Sequence, residues 1–187
     1  MDAMDNRRDT NGSTVEEAGG DCGSWVVLAT GPSVTVSDVA YIKGRCKVAA
    51  VSDAFRLAPW ADILVSHDRA WWEHNKDAKT FKGRRFCAQE IREAEQFKGH
   101  VHLGRNSGLM AMCVARFLGA KRLFLLGFDM KGTHFFGPHP APLKNSTSKI
   151  FATHLRQFDG FSGCDVVNCT PNSALTRFPL RELREVL

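Results

Sequence analysis

Apolar residues in this chain come in short unbroken runs, and polar residues gather where the runs stop. Trp25-Val26-Val27-Leu28-Ala29, Lys47-Val48-Ala49-Ala50-Val51, Asp62-Ile63-Leu64-Val65-Ser66 and Leu123-Phe124-Leu125-Leu126 read as strands covered on both faces. Arg85-Phe86-Cys87-Ala88, His100-Val101-His102-Leu103 and Asp165-Val166-Val167-Asn168 are shorter strand candidates. Between them fall helical stretches. One follows the first strand near Ser37 to Ile42, and a short one at Ala54 to Trp60 stops before a proline-bearing turn. Trp71, Trp72 and His74 mark another turn or two. Leu109 to Leu118 has almost no wet side and closes on Gly119-Ala120-Lys121-Arg122, a C′ glycine followed by cations. Ile150, Phe151, Leu155 and Phe158 share one helix face, and Pro179 is placed to start a closing helix.

Strands and helices that alternate over short links predict an α/β class with a mostly parallel central sheet. In such a sheet every strand ends at the same rim. Here the strand ends are polar: Thr30, Ser52-Asp53, His67-Asp68, Asp129 and Asn168. Ligands of open α/β sheets bind at that rim. Thr30-Gly31-Pro32-Ser33 lies in a strand-turn-helix order, and Asn106-Ser107-Gly108 opens the most apolar helix. Helix starts of this kind present main-chain N–H groups to an anion. Neither turn carries the three-glycine dinucleotide fingerprint or the lysine of a Walker loop.

Composition changes little in this picture, and charge changes more. The net charge is +5, but residues 1–23 hold six acids and two arginines, so the remaining chain carries about +9. A basic body suits an anionic partner such as a nucleotide or an acidic sugar. The first 23 residues are poor in apolar groups and read as a disordered acidic tail, followed by one domain from residue 24 to 187. No signal peptide or membrane-spanning run is evident, and a cytoplasmic location is expected. Six cysteines are scattered at positions 22, 46, 87, 113, 164 and 169. Only Cys164 and Cys169 are close, with no second pair to complete a zinc site, so buried or incidental thiols are expected. Lys82, Arg84 and Arg85 beside Phe81 and Phe86 form a basic-aromatic patch that reads as a solvated connector, which disfavours nucleic acid as partner.

The motifs Thr30-Gly31-Pro32-Ser33, Asn106-Ser107-Gly108, Gly127-Phe128-Asp129 and Cys169-Thr170-Pro171-Asn172-Ser173 resemble, in that order, those of bacterial lipooligosaccharide sialyltransferases. The Gly-Pro-Ser turn and the Gly-hydrophobic-Asp strand end are also similar to the MptE-like pterin diphosphokinases, and the chain resembles proteins of tailed phages and prophages. The likeness runs from about Trp25 to Phe178. It implies a Rossmann-like three-layer fold and a nucleotide-sugar donor bound at the strand ends. By that resemblance Thr30, Ser52 and His67 stand at asparagine positions of the sialyltransferases, Ser107 matches a serine of the nucleotide site, and Pro171-Asn172-Ser173 lies near the base. Those enzymes place two tyrosines on the leaving phosphate, whereas this chain's single tyrosine is Tyr41 and Lys131 stands on the corresponding loop.

The candidate chemistry follows. His134 and His139 lie in a loop from Met130 to Lys144 that has no sustained period and is expected to be mobile over the site. Either imidazole has the basicity to take a proton from an acceptor hydroxyl. Asp53 and Asp129 are placed to hydrogen-bond ribose or to cap helices. Asp68 has the same two readings, or pairs with Asp129 on Mg²⁺ if the chain is an ATP-dependent diphosphokinase. Gly31 and Gly108 allow a backbone turn against phosphate or tight packing. Trp71 and Trp72 stack on a ligand or fill the core. The expected activity is nucleotide-dependent transfer, a glycosyltransferase first, with a diphosphokinase or a non-catalytic phage nucleotide-binding module as alternatives. Acceptor and oligomeric state are not specified by these patterns.

Overall fold

The computed structural model describes residues 23–187. The tail expected at the amino terminus falls on residues 1–22 and lies outside the described residues. Seven parallel strands form the sheet: β1 (Ser24–Leu28), β2 (Lys47–Val51), β3 (Ile63–Val65), β4 (Arg84–Cys87), β5 (Glu95–Gln96), β6 (Arg122–Leu126) and β7 (Asp165–Asn168). Their order is β5-β4-β3-β2-β1-β6-β7, and every pair is parallel. From β1 the chain builds outward to β5, then returns to place β6 on the other side of β1. The order therefore reverses between β1 and β6, where Val26 is in register with both Val48 and Phe124.

The alternation along each strand divides the core. Trp25, Val27, Ala49, Val51, Ile63 and Val65 face one side, where they bury helix α3 (Ser107–Phe117) together with Phe158 and Phe161. Val26, Leu28, Val48, Ala50 and Leu64 face the other side, against α1 (Val36–Ile42), α2 (Arg69–His74) and α5 (Leu183–Val186). That gives the three-layer α/β arrangement expected of a Rossmann-like chain. Helix α3 is buried from Gly108 through Ala115, which explains its lack of a polar stripe. Helix α4 (Ser148–Gln157) is the opposite case, since no residue in it is fully buried. Side-chain caps start three of the helices. Thr35 accepts from the Asp38 N–H, Asn106 from the Leu109 N–H and Thr147 from the Ile150 N–H. No helix among the described residues is long and apolar enough to cross a membrane.

Two expected elements differ. Residues 100–103 do not form a strand. Leu103 N–H donates to the His100 carbonyl and Val101 N–H to that of Lys98, so the backbone is spent in a tight 3₁₀ turn. The sheet edge is instead Glu95–Gln96, two exposed residues with no apolar signal. Pro179 does not open a helix either. Its carbonyl accepts from Asn168 N–H while Arg181 N–H donates to Asn168 O, which extends the chain beside β7 until α5 begins.

Candidate functional site

At the reversal between β1 and β6 the connections leave toward opposite faces of the sheet, and the turns that follow the two strands line a cleft of about 900 Å³. The two turns are tied to each other before any ligand is considered. Gly31 N–H donates to the Gly127 carbonyl at 2.9 Å, and Ser33 Oγ donates to Asp129 Oδ2 at 2.9 Å. A Cβ at Gly31 would overlap both Asp129 Oδ2 and the Gly127 carbonyl, so only glycine lets the turns approach this closely. Gly127 itself has φ +73, and Met130, with φ 55, turns the chain out of the strand end. The last strand braces this corner: Thr170 Oγ1 accepts from Phe128 N–H at 2.9 Å, and Ser173 Oγ donates to the Phe128 carbonyl at 2.5 Å.

Of the expected site residues, Thr30, Gly31, Ser52, Asp68, Asn106, Ser107, Gly108, Asp129, Lys131, His134 and His139 line the cleft. Pro32, Ser33, Asp53, His67, Asn172 and Ser173 do not line it. Ser33 and Ser173 are engaged as braces, and Asn172 (φ 52) is exposed on the turn just before Ser173. His67 is buried; its main-chain N–H donates to Ser107 Oγ at 3.0 Å and its Nδ1 lies 3.2 Å from Asp68 Oδ1. Asp53 is buried as well. Its Oδ2 accepts from the indole of Trp71 at 2.7 Å and its Oδ1 from Arg56 Nε at 3.2 Å, so both oxygens are directed inward. Trp71 and Trp72 are core residues packed edge to face. Tyr41 lies on α1 between the guanidinium groups of Arg45 and Arg184, away from the cleft.

Residues 131–147 form no helix or strand, yet they are pinned over the cleft. Phe135 N–H donates to the Thr30 carbonyl at 2.9 Å, and Thr30 Oγ1 is 2.8 Å from His134 Nδ1. His134 stacks on Phe136 with the ring centroids 4.9 Å apart, and its ring centroid is 4.4 Å from that of His139. The side chain of Asn145 clasps the main chain of His139, accepting its N–H at 2.6 Å and donating to its carbonyl at 3.2 Å.

Electrostatics sort the titratable groups. Burial pushes His134 down to about 4, with His139 adding to the effect, and burial also lowers His139 and His154. All three imidazoles are therefore neutral near pH 7 and able to accept a proton. The hydrogen bond from His67 holds Asp68 below the usual carboxylate range, helped by Arg105 and His154. Burial raises Asp129, opposed by the Ser33 hydrogen bond and by Lys131. With Oδ2 committed to Ser33, Asp129 is a poor cation ligand. Among the described residues no group of three or more His, Cys, Asp or Glu side chains is disposed around a cation position.

Several cleft residues escaped the sequence reading: Arg69, Arg105, Lys144, His154 and Phe151. His154 stands four positions after Ile150 and three after Phe151, so helical spacing already placed it on the face that turned out to meet the cleft. The arginines carry no comparable signal. No family model, no curated protein and no solved structure matches the chain significantly.

Proposed function

We propose that this chain is a nucleotide-dependent transferase, and specifically a glycosyltransferase that uses a nucleotide-sugar donor. The observation that carries the reading is Asn106. It lines the cleft at the start of α3, its Oδ1 caps the Leu109 N–H, and its buried Nδ2 has no hydrogen-bond partner among the described residues. An unspent donor beside the first N–H groups of an eleven-residue helix suits an anion such as a phosphate. Arg105, Lys131 and Lys144 add positive charge on the walls. Leu143, Ile150 and Phe151 add an apolar surface to the lining, suited to a planar base. Anion and planar group together describe a nucleotide.

In this reading the phosphates lie against Asn106-Ser107-Gly108 and the Thr30-Gly31 turn, and Asp129 accepts from a donor hydroxyl. The bond between the sugar carbon and the phosphate oxygen breaks as an acceptor hydroxyl attacks and loses its proton to a neutral imidazole, His134 or His139. Lys131 and Arg105 offset the charge left on the departing phosphate, where the resembling sialyltransferases use tyrosines. Nucleotide sugars are cytoplasmic metabolites, which places the protein there, and the likeness to phage and prophage proteins is retained as part of the proposal. The diphosphokinase alternative would need Asp68 and Asp129 to hold Mg²⁺ together with the phosphates.

Calorimetry with CMP, UDP, ADP and their sugars, with and without EDTA, tests the proposal. We expect metal-independent binding of one nucleotide, lost in Asn106→Ala. Absence of binding by all of them overturns it, and binding that requires Mg²⁺ turns the reading toward phosphotransfer. Binding that persists with no transfer to any acceptor, and that is indifferent to His139→Gln, leaves a non-catalytic nucleotide-binding module.

A further inference from the structure

Asp53 lies two residues past β2, outside the lining of the cleft, with its carboxylate next to the histidine loop. Its Oδ2, the oxygen bonded to the Trp71 indole at 2.7 Å, is also 4.0 Å from His139 Nδ1. Its Oδ1 accepts from Arg56 Nε at 3.2 Å. Arg56 is clamped in turn, by Asn75 Oδ1 at 2.8 Å and by the Asp77 carboxylate. The aspartate therefore cannot swing: one oxygen is fixed by an indole, the other by a guanidinium that is itself fixed. A buried carboxylate held this rigidly, with one oxygen turned toward a half-buried imidazole, is the arrangement by which an acid orients a base.

We propose that Asp53 is a positioning residue that pairs electrostatically with His139 and selects it, rather than His134, as the base of the transfer reaction. The selection rests on the transferase reading; the pairing itself does not. His134 has Thr30 Oγ1 at 2.8 Å and lies over Phe136; Asp53 also favours its protonation, but among the described residues no carboxylate lies within 4.0 Å of its ring, whereas Asp53 lies that close to His139. His139 has Asp53. The groups that act on His139 are Asp53, which favours its protonation, and His74 and its own burial, which oppose it. His134 faces it at 4.4 Å between ring centroids and Phe136 at 5.1 Å. Arg56 acts through Asp53 by compensating part of its charge. When His139 takes the acceptor proton, the resulting imidazolium is stabilised by the carboxylate beneath it.

The test is a histidine NMR titration of the full chain without ligand, with resonances assigned through His134→Gln and His139→Gln. Asp53→Asn removes the charge, so the His139 midpoint should fall by roughly one pH unit. Arg56→Met removes the compensating cation, so the midpoint should rise. Both substitutions disturb the same buried cluster, and general loosening would move His139 in one direction only. Opposite signs are therefore the signature of the pairing. Midpoints that stay put in both variants, or that shift alike, overturn it. Where a transfer activity is in hand, its acid limb should follow the His139 midpoint through both variants. If it tracks His134 instead, the selection fails. If NMR shows the opposite shifts and no nucleotide binds, the pairing stands and the transferase reading falls alone.

Discussion

Acidification should destabilise this protein measurably through one side chain, His100. The ring is completely buried, stacks on Phe97 with centroids 6.1 Å apart and meets His67 edge on at 5.3 Å. Neither ring nitrogen has a hydrogen-bond partner. Burial, aided by His67 and His102, pushes its pKa down from 6.5 to about 4. In the unfolded chain the imidazole takes a proton below about pH 6.5, whereas in the fold it stays neutral down to about pH 4. The unfolded state thus binds more protons across that window. Stability must fall as pH drops through it, and the effect levels off below. At about 1.4 kcal/mol per pH unit the gap is worth on the order of 3 kcal/mol, a large fraction of the roughly 5–15 kcal/mol that holds a domain folded.

His134, His139 and His154 are also lowered by burial and steepen the same acid limb, so the wild-type curve alone does not isolate His100. His100→Phe does. It keeps a flat ring against Phe97 and deletes both unpaired nitrogens. Exchanging an unsatisfied buried polar group for an apolar one of similar shape is neutral or stabilising. At neutral pH the variant should therefore equal the wild type or exceed it by up to about 1 kcal/mol. Urea unfolding at steps from neutral pH to pH about 4.5 should then open a gap of about 2 kcal/mol in favour of the variant. Parallel stability curves would refute the reasoning. So would a loss of more than about 2 kcal/mol at neutral pH, because it would mean the nitrogens are satisfied in solution.

Three further outcomes are expected. Gly31→Ala drives a methyl into Asp129 and the Gly127 carbonyl, so it should cost about 1–3 kcal/mol in urea unfolding and abolish nucleotide binding. Asp129→Asn relieves a carboxylate whose pKa is raised by burial; such a group weakens the fold as pH rises through its ordinary and then its folded value. At neutral pH that variant should match the wild type or gain up to about 1 kcal/mol while losing affinity for the ligand, a combination that a purely structural role would not produce. Burial raises Cys46 and Cys113 to about 11 and Cys169 to about 12, and raises Cys87 and Cys164 as well. In a Cys22→Ser background, Ellman's reagent at neutral pH should react slowly with all five until denaturant is added; a fast native thiol would contradict the burial.

The sheet was legible because its central strands are covered on both faces, which makes β1, β2, β3 and β6 continuous apolar runs whatever their neighbours. Helix α3 was legible for the same reason. The edge was not. Glu95–Gln96 earns its place by backbone pairing alone, through Phe97 N–H to the Cys87 carbonyl, and leaves no trace in side-chain pattern. His100 to Leu103 alternates like a strand, but Gly104 at φ +121 ends it and local bonds win. The rim was legible as a list of polar strand ends, though not the direction each side chain takes. After β2 the chain turns through Ser52 at φ 47, and that turn keeps Ser52 on the cleft while sending Asp53 underneath. No spacing rule reports such a reversal, because it depends on one backbone dihedral.

That reversal bears on how the site is built. Braces of the cleft, Ser33, Asp53, Thr170 and Ser173, spend their polar atoms on other protein groups, and each holds in place a residue that does line it. Ser33 holds Asp129; Thr170 and Ser173 hold the Phe128 backbone; Asp53 lies under His139. The turns after β1 and β6 are locked together through Gly31 and Gly127, so this side of the cleft is formed before any ligand arrives. The opposite wall is α4, which has no buried residue, and the loop before it, clasped through Asn145. Both loop histidines are tied back to the turn after β1, because Phe135 N–H is bonded to the Thr30 carbonyl and His134 Nδ1 lies 2.8 Å from Thr30 Oγ1, so that turn sets where they stand over the cleft.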